Sequence, residues 1–443
     1  MPSDKLILNS MTTNVLDVRG LGAIGDGVAD DTSAIQSAFD LIHTQNGINT
    51  ITSMTTTVVI PRGVYKITSP LRIPSNTYLK MDPGAVLLRS ANINTLLVNR
   101  SDGNIGGYDA SSNITIEGGI LDGNKSKLPS SGNLISLGHC EFINIKNVTL
   151  RNLHDWNMIQ LAGVQHAKIK GCTFKDQGYA QSGSGMIQFG VLSDSLSFPF
   201  FGPYDSTSCK NITIEDNIML NGIRAIESRW IINKPSHIYI NISRNYIEYM
   251  SKEALWIYGT RDFTVADNFI GSCYIAVYLT NEGTVEGITG RCLITRNTVI
   301  GTANSYRGIH VSNFCWHGVI SHNRVEGGSA HGIGIDQGLN WLVDSNNVYN
   351  CGQTGVWIWG TLDTTVSNNY LRWNNSSNTF DRWDLMIGSG PRTTTSINVT
   401  GNRVGTTKVQ KANKVNFAGN RMFNGLAYGG EVQDINLDYE NNW

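Results

Sequence analysis

The chain has 443 residues, of which 40% are hydrophobic and 16% charged, an ordinary folded composition with no biased or disordered tract. Its 34 basic and 35 acidic residues leave a formal net charge of −1 with no long run of either sign, so nucleic acid and anionic membrane surfaces are excluded as expected partners. No apolar stretch approaches membrane-spanning length, and the cysteines (140, 172, 209, 273, 292, 315 and 351) stand singly, which predicts packed thiols rather than a disulfide framework, a metal site or a cofactor site.

The opening "MPSDKLILNS" lacks the basic region, apolar core and cleavage site of a secretion signal. That is compatible with a phage virion component or with an enzyme released without a classical signal. The stretch Gly22 to Asp40, "GAIGDGVADDTSAIQSAFD", places glycines and aspartates before an amphipathic run. A phosphate loop is excluded, because Asp26, Asp30 and Asp31 would repel an anion. Asp30, Asp31 or Thr32 suits the cap of a helix over about Thr32 to Gln45, with Ala34, Ile35, Ala38, Phe39 and Ile42 as its apolar stripe.

From about residue 113, short β-type runs recur every 20 to 30 residues. "ITIEDNIML", "FTVADNFIG", "VISHNRVEG" and "INVTGNRVG" share an apolar residue, two free positions, an asparagine, one free position and another apolar residue. The aligned asparagines are Asn217, Asn245, Asn268, Asn297, Asn323, Asn346, Asn369, Asn402 and Asn420, with Val148 and Cys172 at the same place in earlier copies. A short polar residue that tolerates the left-handed conformation and bonds to its own copy one layer away suits a stacked turn, so a ladder is expected. A second column alternates with period two and turns Ile159, Ile187, Ile226, Leu255, Val277, Ile309, Ile333, Val356 and Leu385 inward.

One unit of two or three short strands per repeat, without long helices, predicts an all-β fold: a single right-handed parallel β-helix whose first rung is sealed by the N-terminal capping helix. Residues 1–112 are read as the N-terminal segment with that helix and the first rungs, 113–425 as the main β-helix, and 426–443 as a C-terminal cap or tail. The segments "NVLDVRGLGAIGDGVADDTSAIQSAFD" and "VVIPRGVYKITSPLRIPSNTYLKMDPGAVLL" resemble the N-terminal signature of the pectate-lyase-like superfamily, which includes phage tailspikes and capsule depolymerases. The resemblance implies a polysaccharide-acting protein assembled as a homotrimer, but it leaves the chemistry open between hydrolases, lyases and epimerases.

Between the inward positions, one outward line reads Gln160, Gln188, Glu227, Trp256, Tyr278, His310, Gly334 and Trp357; a parallel line reads Ala162, Gly190, Arg229, Tyr258, Thr280, Ser312, Asp336 and Trp359. Exposed aromatic residues in a row call for a reason, and sugar stacking or a subunit interface would supply one. Arg229, Trp256, Tyr258, Tyr278, His310, Trp357 and Trp359 are therefore the expected substrate-binding residues.

The candidate catalytic carboxylates are Glu227, Glu253, Glu282 and Asp336. With rungs about 4.8 Å apart, Glu282 and Asp336 fall roughly 12 Å apart at the backbone, within side-chain reach of an inverting separation, and Glu227 with Glu253 forms the competing pair. His317, His322 and His331 are read as turn residues, and the insertion "VLSDSLSFPFFGPYDSTSC" as a binding wall or interface loop. The expected function is endo-acting glycoside hydrolysis. A lyase or uronate epimerase is the first alternative, and a non-catalytic glycan-binding spike or adhesin the second.

Overall fold

The computed structural model describes residues 15–46, 55–178, 184–229, 234, 236–281, 288–374, 383–390, 392–424, 426–429 and 433–437. The architecture is the expected all-β right-handed parallel β-helix with one α-helix near the N-terminus. By internal contacts the chain forms two compact units, the first Met1–Ile223 with Asn233–His237, the second Arg224–Ile232 with Ile238–Trp443.

In the first unit the helix α1 (Thr32–Asn46) buries Ile35, Ala38, Phe39 and Ile42 completely. The acidic residues before it hold the glycine loop rather than a ligand. Asp31 accepts from the backbone N–H groups of Ile24 (2.6 Å) and Gly25 (3.2 Å), Asp26 from those of Val28 and Ala29, and Asp30 from the N–H and hydroxyl of Thr32. These bonds keep the Asp26 and Asp30 carboxyls below their usual range.

Three strands make each turn of the second unit. Strands of the first sheet include Arg224–Arg229, Leu255–Tyr258, Ile275–Thr280, Arg307–Val311, Ile333–Asp336, Val356–Trp359 and Leu385–Gly388. The second sheet runs through Thr260–Ala266, Gly290–Thr295 and Trp316–Ser321, and the third through Tyr246–Met250, Phe269–Cys273, Thr298–Ile300 and onward. In register, Ile226, Leu255, Val277, Ile309, Ile333, Val356 and Leu385 lie one above another and are fully buried, the expected inward column. Each such side chain contributes about 1.5–3 kcal/mol by leaving water.

The asparagine ladder is continuous from Asn245 to Asn420. Each backbone N–H and each side-chain amide donates to the Oδ1 of the next asparagine at 2.9–3.0 Å, as for Asn268 to Asn297 and Asn297 to Asn323. One expectation is corrected. The left-handed conformation belongs to the residue before each asparagine, namely Arg244, Asp267, Arg296, His322, Ser345, Asn368, Gly401 and Gly419, with φ between 54° and 66°. The asparagine itself is free to turn its amide along the stack.

Candidate functional site: a stacked ladder beside Asp336

Strip residues differ in the two units. In the first unit Gln160 and Gln188 are buried, and Gln160 donates to Gln188 (3.3 Å) while accepting from Asn133 (3.0 Å). The insertion expected to form a wall folds back onto this face instead. Phe198 and Phe201 are buried with Val98, Ala162 and Leu192, and the rings seat over Gly190 and Gly138, where an added Cβ would fall 3.0 Å and 2.5 Å from them. Glycines on the outward line leave space that the phenylalanines fill.

The second unit keeps its strip partly open. Glu227, Trp256, Tyr278, His310, Gly334 and Trp357 follow one another on adjacent rungs in the order read from the sequence. The strip is less exposed than expected: Glu227, Thr280, His310 and Ser312 are buried, and Trp256, Tyr258, Tyr278, Trp357 and Trp359 are half-buried.

At one end lies an ion-pair brace. Arg224 donates through Nη1 to Glu227 (3.1 Å) and through Nε to Glu253 (2.7 Å), and its guanidinium packs 4.3 Å from the Trp256 ring centre. Arg229, 47% exposed, reaches Glu227 from outside at 3.2 Å. Glu227 is 0% exposed, and the brace ties both glutamates to guanidiniums. A buried ion pair with both partners satisfied is a positioning device.

Further along, Tyr278 and His310 stack at 5.5 Å, His331 and Trp357 at 4.7 Å, and Trp357 and Trp359 at 5.5 Å. Gly334 sits in the rung between His310 and Trp357, and the two rings lean into the space it leaves to reach 6.5 Å. Trp359 lies flat over two more glycines, since a Cβ on Gly388 or Gly390 would come within 2.3 Å of its ring. Flat, half-buried rings of this kind suit the apolar face of a pyranose.

Arg307 ties this cluster together. Its Nη1 lies 2.5 Å from His310 Nε2 and its guanidinium 4.8 Å from the Tyr306 ring centre and 5.7 Å from that of Trp357. A guanidinium only donates, so His310 accepts through Nε2 and carries its proton on Nδ1. Burial, then Arg307 and His331, push His310 well below the usual histidine range, and burial with Arg307 takes His331 down to about 3. Both imidazoles are thus neutral at ordinary pH.

Asp336 stands directly opposite Trp359 in the adjacent strand. Its Oδ1 meets no donor among the described residues, and burial raises its pKa against the opposing pull of Gln337 and Arg307. A carboxyl that holds its proton to higher pH, beside a ring that can carry a sugar, has the properties of a general acid. Glu282 lies outside the described residues.

His331 lies outside the strands, as its turn reading expects, and also stacks on Trp357, while Arg307, which sequence reading offers only as a cation for lyase chemistry, bonds to His310. His331 and Arg307 each sit two residues before an inward isoleucine of the first sheet, Ile333 and Ile309, a recurrence that would have marked both. His322 occupies a left-handed turn position with φ of 57°, whereas His317, expected in a turn, lies within the strand Trp316–Ser321 with φ of 50°. Among the described residues no cluster of histidine, cysteine and carboxylate groups could hold a metal ion.

Comparison with known proteins follows the geometry. The family model described as "Rhamnogalacturonase A/epimerase, pectate lyase-like" matches residues 14–247, and a right-handed β-helix region matches residues 201–371. A relative, the plasmin and fibronectin-binding protein A of Streptococcus pneumoniae, is 25% identical over 239 residues, which cover 48% of this chain and only 32% of that protein. The crystal structure of PfbA, a surface adhesin of Streptococcus pneumoniae, covers 95% of this chain and 90% of its own at 16% identity and a TM-score of 0.56. A family 28 exopolygalacturonase of Yersinia enterocolitica covers 96% and 78% at 16% identity and 0.55, and tailspike protein 3 of bacteriophage CBA120 covers 97% and 62% at 10% identity and 0.54. At these identities the structures share the fold.

Proposed function

Because the chain belongs to the rhamnogalacturonase A/epimerase, pectate-lyase-like family, we propose that it binds a polysaccharide along the stacked ladder of its second unit and cleaves it as an endo-acting glycoside hydrolase. The observation that carries this reading is the half-buried Asp336, with its raised pKa, opposite Trp359. A sugar resting on Trp359 and Trp357 brings its glycosidic oxygen to the Asp336 carboxyl, whose burial favours the protonated form. Asp336 gives that oxygen a proton as the C–O bond breaks, and a second carboxylate takes a proton from the water that adds to the anomeric carbon. Glu282 is proposed for that second role from its place in the sequence, two residues after Thr280.

Incubation with bacterial capsule, O-antigen and plant polysaccharides, reading reducing ends and ultraviolet absorbance together, tests the proposal. Reducing ends without absorbance, lost in Asp336→Asn, are expected. Absorbance from unsaturated ends, or inverted uronates without shortening, would replace the hydrolase with the lyase or epimerase reading.

A second reading is a glycan-binding adhesin, favoured by the brace that engages two of the four candidate carboxylates, Glu227 and Glu253, and by the likeness to a pneumococcal surface adhesin. It predicts binding that Trp357→Ala weakens, with no change in polymer length. The tailspike resemblance adds a homotrimer to the proposal, which sedimentation equilibrium tests directly.

A further inference from the structure

The outer face of the third sheet carries a different chemistry near its C-terminal end. Strands Tyr370–Arg372, Arg403–Val404 and Arg421–Met422 occupy consecutive rungs, with Tyr370 opposite Arg403 and Arg403 opposite Arg421. The Arg403 guanidinium lies 5.4 Å from the Tyr370 ring centre, that of Arg372 4.0 Å from Phe423 and 5.6 Å from Trp373, and that of Arg421 5.1 Å from Phe423. Trp373 is 64% exposed and Phe423 37%.

Several arginines elsewhere on this unit have carboxylates. Arg324 pairs with Glu326 on the same sheet, Arg296 with Asp267 and Arg291 with Asp262. Among the described residues, no carboxylate forms an ion pair with Arg372, Arg403 or Arg421. Like charges directly opposite on adjacent strands are unfavourable, so the Arg403–Arg421 pair costs stability unless an anion lies across it. Rings that take up the guanidinium faces leave the N–H edges available for a bidentate bond to carboxylate or sulfate.

We propose that this patch binds an acidic glycan at a site separate from the first-sheet ladder. The three cations supply anion recognition, the Phe423 ring holds two of them, and the exposed Trp373 ring supplies a face for pyranose stacking. A formal net charge of −1 withholds the broad positive field that nucleic-acid binding uses, so the recognition is local.

The test is fluorescence anisotropy on the full chain with labelled heparin oligosaccharide, polygalacturonate oligosaccharide, neutral dextran oligosaccharide and single-stranded DNA at two salt concentrations. At least one acidic glycan is expected to bind with salt-sensitive affinity, while dextran leaves this site empty. Arg403→Ala/Arg421→Ala should weaken that binding about tenfold, and the double lysine variant should restore only part of it, because lysine lacks the planar fork. Both side chains are exposed, and circular dichroism checks that the variants fold. Trp373→Ala, in the patch and outside the ladder, should weaken the same binding severalfold. Failure of both acidic probes to bind, full binding by the double alanine variant, or DNA binding as tight as the glycan would each overturn the proposal. None of these results depends on whether the ladder cleaves its own polymer.

Discussion

Single residues divide here into those that repeat and those that do not. Asn323 repeats: its backbone N–H and amide donate to Asn346, while its amide also meets the Ile294 carbonyl and its oxygen accepts from Asn297. Alanine there orphans buried donors on both sides, so Asn323→Ala should cost about 2–4 kcal/mol, read as a fall in the urea midpoint at unchanged slope. Asp336 does not repeat, and its burial sets a definite pH signature. Since its folded pKa is raised, the folded state favours the protonated form, and that advantage is present below the unfolded value of 3.8 and lost as pH rises through the folded value. Asp336→Asn should therefore raise the melting temperature at neutral pH, leave it unchanged at acid pH, and lower hydrolysis by roughly 10²–10⁴-fold. A variant that keeps full activity removes Asp336 from the chemistry. His331 has the opposite sign, with a folded pKa of about 3 against 6.5 when exposed. Stability tied to it is complete above 6.5 and drains away as pH falls towards 3, and His331→Asn should flatten that acid-side loss.

Elements follow the same division between periodic and aperiodic sequence. The inward isoleucines, the asparagine ladder and the stripe of α1 could be read directly, because burial at a fixed period leaves a pattern that needs no knowledge of neighbours. Removing Phe39 from α1 should cost about 3–5 kcal/mol, since its ring is fully buried in the helix face of the first unit. The insertion after Gly190 could not be read in this way. Its aromatic residues suggest a binding wall or an interface loop, yet the residues that seat Phe198 and Phe201 are Gly190 and Gly138, distant in sequence and legible only once the rungs are in register. Gly138→Ala would put a Cβ 2.5 Å from the Phe201 ring and should displace it at a cost of about 1–3 kcal/mol. Unchanged thermal stability in that variant would mean the insertion does not rest on this face.

At the scale of the whole molecule, the order of the strip was legible while its depth was not. Alternation states which way a side chain points but not that Gly334 lets His310 and Trp357 lean together, nor that Arg224 gathers Glu227 and Glu253. The cysteines turn this layered burial into a measurement. All seven are buried thiols, three in the first unit (Cys140, Cys172, Cys209) and four in the second (Cys273, Cys292, Cys315, Cys351). Burial pushes the Cys172 thiol up to about 11 and those of Cys209, Cys273 and Cys351 to about 12, so little reactive thiolate exists while the rungs are closed. Labelling with an aromatic disulfide at pH 8 should proceed only through opening of the stack, and mass spectrometry can assign each modified position. Because rungs contact chiefly their neighbours, thiols within one compact unit should react together, giving a group of three and a group of four. A single thiol reacting at once in the native protein would contradict the packing, and seven equal rates would show that the two units open as one.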